Sequence, residues 1–537
     1  MNCHALPYRA LLAMVSLLLV VAARAQGDAA SPPPQQQKAQ EQQRFDILEF
    51  QVEGNTVLDG ERIERAVYPF LGEAKSIADA DGARAALEQA YRAMGYATVA
   101  VDIPPQKVMG GVVVLQVVEG RVAHLRVLGS RYFSQDRILA AMPALAEGSV
   151  PHLPAVQKQL VDANSSPDAR ITPLLRPGKQ PGTTDVDLQV EDKLPLHGSV
   201  ELNNHAAPNT SALRLLAGLR YANLFQRDHT LGLQIQTSPE DTSQVKVLAA
   251  NYLMPAGGGT LMFSALRTVS SSFVGSGVGV YGTGSVLGAR FVLPLDGGAA
   301  SPGLNHSLTW GADYKDFQQS LSLTDGNALY TPIRYLPLSL NYAGQRADGA
   351  NLTEFNAGLS FAIRGVASSD AEFADKRYRA NSEFALIKLG LARTQKLAGG
   401  MSLFVRADAQ GSLQPLVSNE QYVAGGVDSV RGYLESTASA DNALRASIEL
   451  RSAPLAQAGS MFDSLQWRAF VDAAYLRNVL PLPGSRAAFE LLGVGAGIGL
   501  KAGLGIDLRA DLAWPLRASN FQRAYGARLQ ASASYGF

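Results

Sequence analysis

From residue 505 to 514 apolar and polar side chains alternate without a break. Ile506, Leu508, Ala510, Leu512 and Trp514 face one way, and Asp507, Arg509 and Asp511 face the other. A period of two is the pattern of a strand with one apolar and one polar face. It returns at 403–410 and at 444–451, where Ile448 and Leu450 alternate with Arg445, Ser447, Glu449 and Arg451. This strand texture continues from Pro195 to the last residue, more than 300 residues with no helical periodicity.

Ahead of Pro195 the pattern differs. A strand is predicted at 45–52 and a turn at Gly54-Asn55. Helices follow at 58–71 and 78–94, where Leu87, Ala90 and Tyr91 recur at helical spacing and Gly95 supplies a stop. Strands at 96–103 and 112–119 complete the unit. The same order then recurs, with a strand at 122–128, Gly129, helices at 134–142 and 153–164, and strands at 170–175 and 184–191. Two successive β-α-α-β-β units of about 75 residues each form an internal repeat.

Charged residues on one face and apolar residues on the other suit either a soluble antiparallel sandwich or a barrel with lipid outside and water inside. The first 25 residues favour the barrel. Arg9, the apolar stretch 11–21 and Ala23-Arg24-Ala25 are the three regions of a secretory signal, and the apolar stretch is short for a membrane anchor. Residues 26–44, with Pro32-Pro33-Pro34-Gln35, are expected to form a linker or a short helix. Cys3, the single cysteine, falls inside the signal, so no disulfide is expected. No run of 18 apolar residues follows, which excludes a transmembrane helix but not a strand barrel. The 47 basic and 47 acidic residues give no basic surface for nucleic acid.

The last strand carries Tyr525, Ala527, Leu529, Ala531, Ala533, Tyr535 and Phe537 on one face and Arg528, Gln530, Ser532 and Ser534 on the other. Such a strand, ending in an aromatic residue, resembles the assembly signal of bacterial outer-membrane barrels. At roughly 20 residues per strand and turn, 196–537 yields about 16 strands. Gly425-Gly426 and Val430-Arg431-Gly432-Tyr433 lie in a glycine-punctuated loop between alternating strands. Together with the opening phrase from Phe45 to Val57 (Phe-Asp-Ile-Leu-Glu-Phe-Gln-Val-Glu-Gly-Asn-Thr-Val), these features make the chain resemble the outer-membrane transporters of two-partner secretion, also called TpsB or haemolysin secretion/activation proteins of the ShlB/FhaC/HecB type.

The resemblance implies two periplasmic α/β POTRA domains at 45–120 and 121–195, then a transmembrane antiparallel β-barrel at 196–537. It implies that the loop of Val430, Arg431, Gly432 and Tyr433 folds back into the lumen, where its arginine meets an aspartate in a strand motif resembling Phe-x-Asp-x-Gly. Phe470-Val-Asp-Ala-Ala474 is the match, with Ala474 in place of glycine. Asp472 shares parity with Gln466 and Arg468 and is expected to point inward; Glu449 and Asp507 are the alternatives. An arginine fork suits a carboxylate partner. The partner implied is a TpsA-like, strand-repeat exoprotein, captured in unfolded form on an exposed edge at 96–103 (Tyr96, Ala97, Thr98, Val99, Ala100, Val101) or on its second-unit counterpart. Outer-membrane lipid and, during biogenesis, the barrel assembly machinery are the other expected contacts, with Phe537 as the assembly signal. Only about 19 residues precede Phe45 after the signal, leaving little room for the plug helix of the family.

Other signals carry less. Gly277-Val-Gly-Val-Tyr-Gly282 matches a dinucleotide fingerprint but lies in barrel texture, with no helix to follow it. His124, His152, His197, His205, His229 and His306 are scattered, so no metal or cofactor is expected. No nucleophile elbow is present and no enzyme is expected. The alternative function is an insertase for other outer-membrane proteins. A passive porin would leave the α/β repeat unexplained.

Overall fold

The computed structural model describes residues 44–274, 278–295, 303–322, 328–455 and 462–537. The expected signal and all but Arg44 of the expected linker lie outside them. The chain divides into two compact units, one of Met1–Arg121 with Val150–Leu153 and Lys179–Thr184, the other of the remaining residues.

The first unit runs β1 (Phe45–Ile47), β2 (Glu49–Glu53), α1 (Gly60–Val67), β3 (Gly72–Lys75), α2 (Ile77–Ala93), β4 (Val99–Asp102) and β5 (Val112–Glu119). β5 lies between β2, parallel to it, and β4, antiparallel to it, while β1 and β3 pair separately. Leu87, Tyr91, Val99, Val101, Leu115 and Val117 join helices to sheet in one buried core. Asp59 caps α1 by accepting from Arg62 N at 2.9 Å. Pro69 cannot continue the helix, so the expected 58–71 ends early in a short 3-10 turn. Ser76 caps α2, and its hydroxyl and backbone N–H bonds to Asp79 hold that carboxyl below its usual range.

The strand expected at 96–103 is shorter than the pattern suggested. Gly95 stands at φ +88°, and the amides of Gly95 and Tyr96 bond back to the carbonyls of Arg92 and Tyr91. Tyr96, Ala97 and Thr98 are therefore spent on reversing the chain, and only Val99, Ala100 and Val101 of the expected edge residues lie in β4. The strand expected at 45–52 is broken at Leu48 into β1 and β2, and β3 falls outside every expected element, because strands of three and four residues carry too few alternations to register.

A single device closes the first loop. Gly54 sits at φ +83°, where any Cβ would overlap the carbonyl oxygen of Val117. Buried Glu119 at the end of β5 accepts from Thr56 N, Thr56 Oγ1 and Val57 N at 2.6, 2.5 and 3.2 Å. The repeat is physical as well as textual. After β6 (Arg121–Leu128), Gly129 at φ +88° abuts the carbonyl of Val190, and Asp192 accepts from the amides of Arg131, Tyr132 and Phe133. α3 (Gln135–Ala140), α4 (Leu153–Ala163), β7 (Ala169–Pro177) and β8 (Thr183–Asp192) follow, with strand order β6-β8-β7.

This second α/β element belongs to the same compact unit as the barrel. It grips the first barrel turn, where Asn223, Phe225, Gln226 and Asp228 all adopt left-handed backbone. Arg137 Nη1 donates to Asn223 Oδ1 at 2.8 Å and Ser134 N to Gln226 Oε1 at 3.0 Å.

The barrel is closed and antiparallel, opening with Leu196–Asn203 and ending with Arg528–Gly536, which pair with each other. The short segment Ala328–Tyr330 continues the line of Ile333–Asp348 across Thr331 and Pro332, so the wall has 16 strands. The apolar face is the bare one. Leu444 and Ile448 are 59% and 53% exposed while Ser447 and Glu449 are 3% and 5% exposed. That inversion excludes a sandwich core and puts lipid outside. Gly279 and Gly282 of the nucleotide-like motif lie within the strand Val278–Leu295, and Gly277 is outside the described residues. Tyr525 does not belong to the last strand: at φ +64° it sits in a turn, its N–H on the carbonyl of Pro515. Phe537 exchanges backbone hydrogen bonds with Gly198 at 3.1 and 3.0 Å.

Candidate functional site

Strands Ser402–Ser412 and Asn442–Arg451 are joined by a 29-residue connection, at the end of the barrel opposite the turn at Asn223–Asp228. Within it Tyr422–Ala424 pairs with Ala438–Ala440, making a hairpin whose tip carries residues 425–437. Gly425 and Gly426 stand at φ +106° and +105°, which lets the tip turn into the lumen.

Arg431 ends the descent. It is 7% exposed, and its Nε and Nη2 donate to Asp472 Oδ2 and Oδ1 at 2.7 and 2.9 Å, a two-pronged fork. Its backbone N–H donates to Asp472 Oδ2 at 3.1 Å, and Nη1 bonds Glu449 Oε2. The guanidinium lies over the Phe470 ring, 3.4 Å from the centroid. Asp472 is fully buried and also accepts from Ser447 Oγ at 2.6 Å. Asp472 and Glu449 were alternatives on the sequence, and the arginine engages both. Asp507, the third, pairs with Arg509 instead.

The neighbours of Arg431 lock the same turn. Gly432 at φ +93° passes close to the backbone of Ala513–Pro515, donates to Gln530 Oε1 at 3.0 Å and accepts from Gln522 Nε2 at 2.9 Å. Tyr433, fully buried, donates its hydroxyl proton toward the carbonyls of Arg517 and Leu492 at 2.7 and 3.2 Å. Val430 and Tyr433 pack with Ala474, Leu476 and Leu491. Ala474 thus fills part of the contact that a glycine would have left open. The wall makes room one strand away: a Cβ at Gly493 would overlap the carbonyl oxygen of Arg431.

Two further acids anchor the connection, and neither carries a signal in the sequence. Glu420 at the hairpin's base accepts from Lys315 Nζ at 2.5 Å and Tyr335 OH at 2.7 Å. Asp441, fully buried at its other leg, accepts from Leu416 N, Gln421 Nε2 and Val479 N. Asp441 also accepts from Arg377, just past α5 (Asp370–Lys376). Isolated acids in a long loop give no pattern from which to find their partners.

Beneath the tip lies a wet lumen cavity of about 730 Å³. Ion pairs occupy part of its wall: Arg445 with Asp408 at 3.1 Å, Arg451 with Glu449 at 2.6 Å, and Arg468 with Asp511 at 2.6 and 2.8 Å. Glu201, Arg214, Asp428 and Glu435 line it as well, so both signs of charge are interspersed over a polar surface. No group of three or more metal-ligating side chains converges among the described residues.

The expected strand edge lies in the first unit, where β4 ends the sheet β2-β5-β4. Gly120 N donates to Thr98 O, so the register puts Val99 and Val101 in non-hydrogen-bonded pairs; Val101 turns its N–H to the open side, whereas Val99 N donates back to Tyr96 O at 3.5 Å and Arg84 Nη1 reaches Val101 O at 3.4 Å. No other strand pairs with that side among the described residues.

Comparison with known proteins gives concordant results. The profile of the ShlB-type POTRA domain matches residues 45–120, and that of the haemolysin secretion/activation protein ShlB/FhaC/HecB matches 182–285 and 335–501. The outer membrane transporter CdiB of Dickeya dadantii is 24% identical over 399 residues, covering 73% of this chain and 69% of that protein. The heme/hemopexin transporter protein HuxB of Haemophilus influenzae is 20% identical over 484 residues, 88% of this chain and 84% of its own. The solved structure of CdiB from Escherichia coli superposes with a TM-score of 0.62 at 20% identity, covering 94% of this chain and 93% of that one, a likeness of fold.

Proposed function

The chain belongs to the haemolysin secretion/activation protein family ShlB/FhaC/HecB and is an outer-membrane transporter with its POTRA region in the periplasm, and we propose that Arg431 is the latch that sets its resting state. The observation that carries this is the convergence of five interactions on one buried arginine: the two bonds of the fork, the backbone bond, Glu449 and the Phe470 face. A buried ion pair contributes little net stability against an apolar substitute, so its use is to fix one arrangement of a loop that otherwise has many. The glycines at 425, 426 and 432 let that loop swing as a piece once the pair parts.

The exported partner is a strand-repeat exoprotein held unfolded in the periplasm. Its extended segments add to the open side of β4, or of β7 in the second α/β element, which acts as a second POTRA domain. Backbone hydrogen bonds supply affinity there whatever the side chains, and the grooves beside the edge supply selectivity. The chain then threads the lumen, whose interspersed charges of both signs hold no single sign of charge fast. Folding outside the cell supplies the direction. Insertion of the barrel itself depends on the assembly machinery reading the end of the chain at Phe537.

Deleting this protein should abolish appearance of its exoprotein in the medium and leave other outer-membrane barrels at normal levels. Depleted barrels with normal secretion would instead indicate an insertase. Arg431→Ala should lower secretion at least several-fold with the barrel still inserted, and normal secretion would remove the latch from the mechanism.

A further inference from the structure

The outer surface of the barrel is not uniformly greasy. Across five adjacent strands, Leu248, Arg267, Ser285, Asp316 and Arg334 lie directly opposite one another. All share the parity of lipid-facing neighbours such as Leu287 and Leu340, which are 57% and 43% exposed. Lys246 stands two residues beyond Leu248. This row caps the apolar band: toward the periplasm the same faces carry Phe263, Leu287, Trp310, Tyr314 and Leu340. A cation on the lipid face is costly at mid-membrane and nearly free at the interface, so the row marks the headgroup level of the outer leaflet. Lys246, Arg267 and Arg334 outnumber the one acid, Asp316, which holds Arg334 Nε at 3.1 Å. Arg267 Nη1 is steadied by Ser285 Oγ at 2.6 Å.

Directly below is a groove of about 520 Å³. Its floor is built of small residues in register: Ala250 faces Ala265, and one step down Ala289 faces Ala312. Phe263 on one side and Leu287 with Tyr314 on the other rise as walls. A flat lipid-facing wall needs no such trench, because fluid chains conform to any surface. A trench with aromatic walls immobilises a chain, and cations at its upper end fix the phosphate from which such chains hang.

We propose that this groove and its cationic rim bind one phosphorylated, multiply acylated glycolipid of the outer leaflet, with an acyl chain on the alanine floor and its two phosphates at Arg267 and at Arg334, which stand three strand spacings apart. The proposal rests on the barrel's place in the outer membrane and not on the Arg431 latch, so either can fail alone. Such a lipid would brace the wall formed by 245–348 while the opposite wall accommodates the moving loop.

The test is native mass spectrometry of the full-length protein in detergent, titrated with bis-phosphorylated hexa-acyl lipid A, with heat-modifiable mobility checking that each variant is folded. Wild type should retain one lipid A per chain. Arg267→Gln with Arg334→Gln should weaken retention about tenfold, the scale of losing charge-assisted bonds. Ala265→Leu with Ala289→Leu, which fills the trench and keeps the charges, should weaken it comparably. Arg346→Gln, an exposed cation at the periplasmic end of the same wall, should change nothing. Equal retention by wild type and both double variants would overturn the site. So would equal retention of lipid A stripped of its phosphates, or displacement of lipid A by equimolar phosphatidylglycerol.

Discussion

Removing the Arg431 guanidinium should release the loop tip, and the size of the effect can be worked from its contacts. In Arg431→Ala, Asp472 loses two fork bonds and Glu449 loses one partner, both inside the wall. Taking one member from a fully buried pair costs about 3–5 kcal/mol. Asp472 keeps Ser447 Oγ at 2.6 Å and Glu449 keeps Arg451 Nε at 2.6 Å. Those survivors set the case at the low end, about 3 kcal/mol, or about a hundredfold in the ratio of released to latched loop. Val430 reports that ratio directly, since it is fully buried when the tip is seated. Cys3 is the single native cysteine, so Val430→Cys in a Cys3→Ser background gives one reporter thiol. Its labelling by a soluble maleimide should accelerate about a hundredfold on adding Arg431→Ala. Asp472→Asn, which keeps the shape and Arg431's bond to Glu449, should give a smaller acceleration. Arg431→Lys should fall between wild type and alanine, because a point charge cannot replace a planar fork. Labelling within threefold of the parent in Arg431→Ala, with the barrel intact by heat-modifiable mobility, would refute the argument. Lysine behaving as arginine would refute the part that rests on the fork.

The same thiol should respond to Gly493→Ala, whose Cβ would strike the Arg431 carbonyl, whereas Gly499→Ala meets only the far end of Arg468 at 3.9 Å and should leave labelling unchanged. Val101→Pro removes an N–H from the open side of β4 and keeps its ladder to β5, but it also takes a buried side chain from the core. Compared with Val101→Ala, which shares that packing loss, it should lower secretion several-fold further while barrel levels hold, and equal secretion by the two would move partner capture elsewhere. At the barrel seam, Gly198→Val would collide with the Phe537 ring. That variant and deletion of Phe537 should both reduce the heat-modifiable folded band, and a normal band from both would strip the terminal residue of its assembly role.

Much was legible in the sequence because lipid and water impose a period of two on every wall strand, and the inward parity of Asp472 followed from that period alone. The α/β repeat was legible for a similar reason, helical spacing broken by glycines at its turns. Features spanning too few alternations escaped: the break that divides 45–52 into β1 and β2, the strand β3, and the loss of 96–98 to a reversal imposed by Gly95.

Which carboxylate Arg431 would meet could not be read from parity, since Glu449, Asp472 and Asp507 all point inward. Strand register decided it. Asn442–Arg451 pairs with Phe462–Arg477 so that Ser447 lies opposite Asp472, which brings Glu449 and Asp472 around the same guanidinium while Asp507 lies two strands away. Register likewise put Gly493 under the loop's backbone and aligned four alanines into a trench. Which face of each strand meets lipid is written in the chain, because alternation is local and the solvent on each side enforces it. Which residues meet across strands is set by the closed barrel, because a shift of two residues keeps every side chain on its face and changes all of its partners.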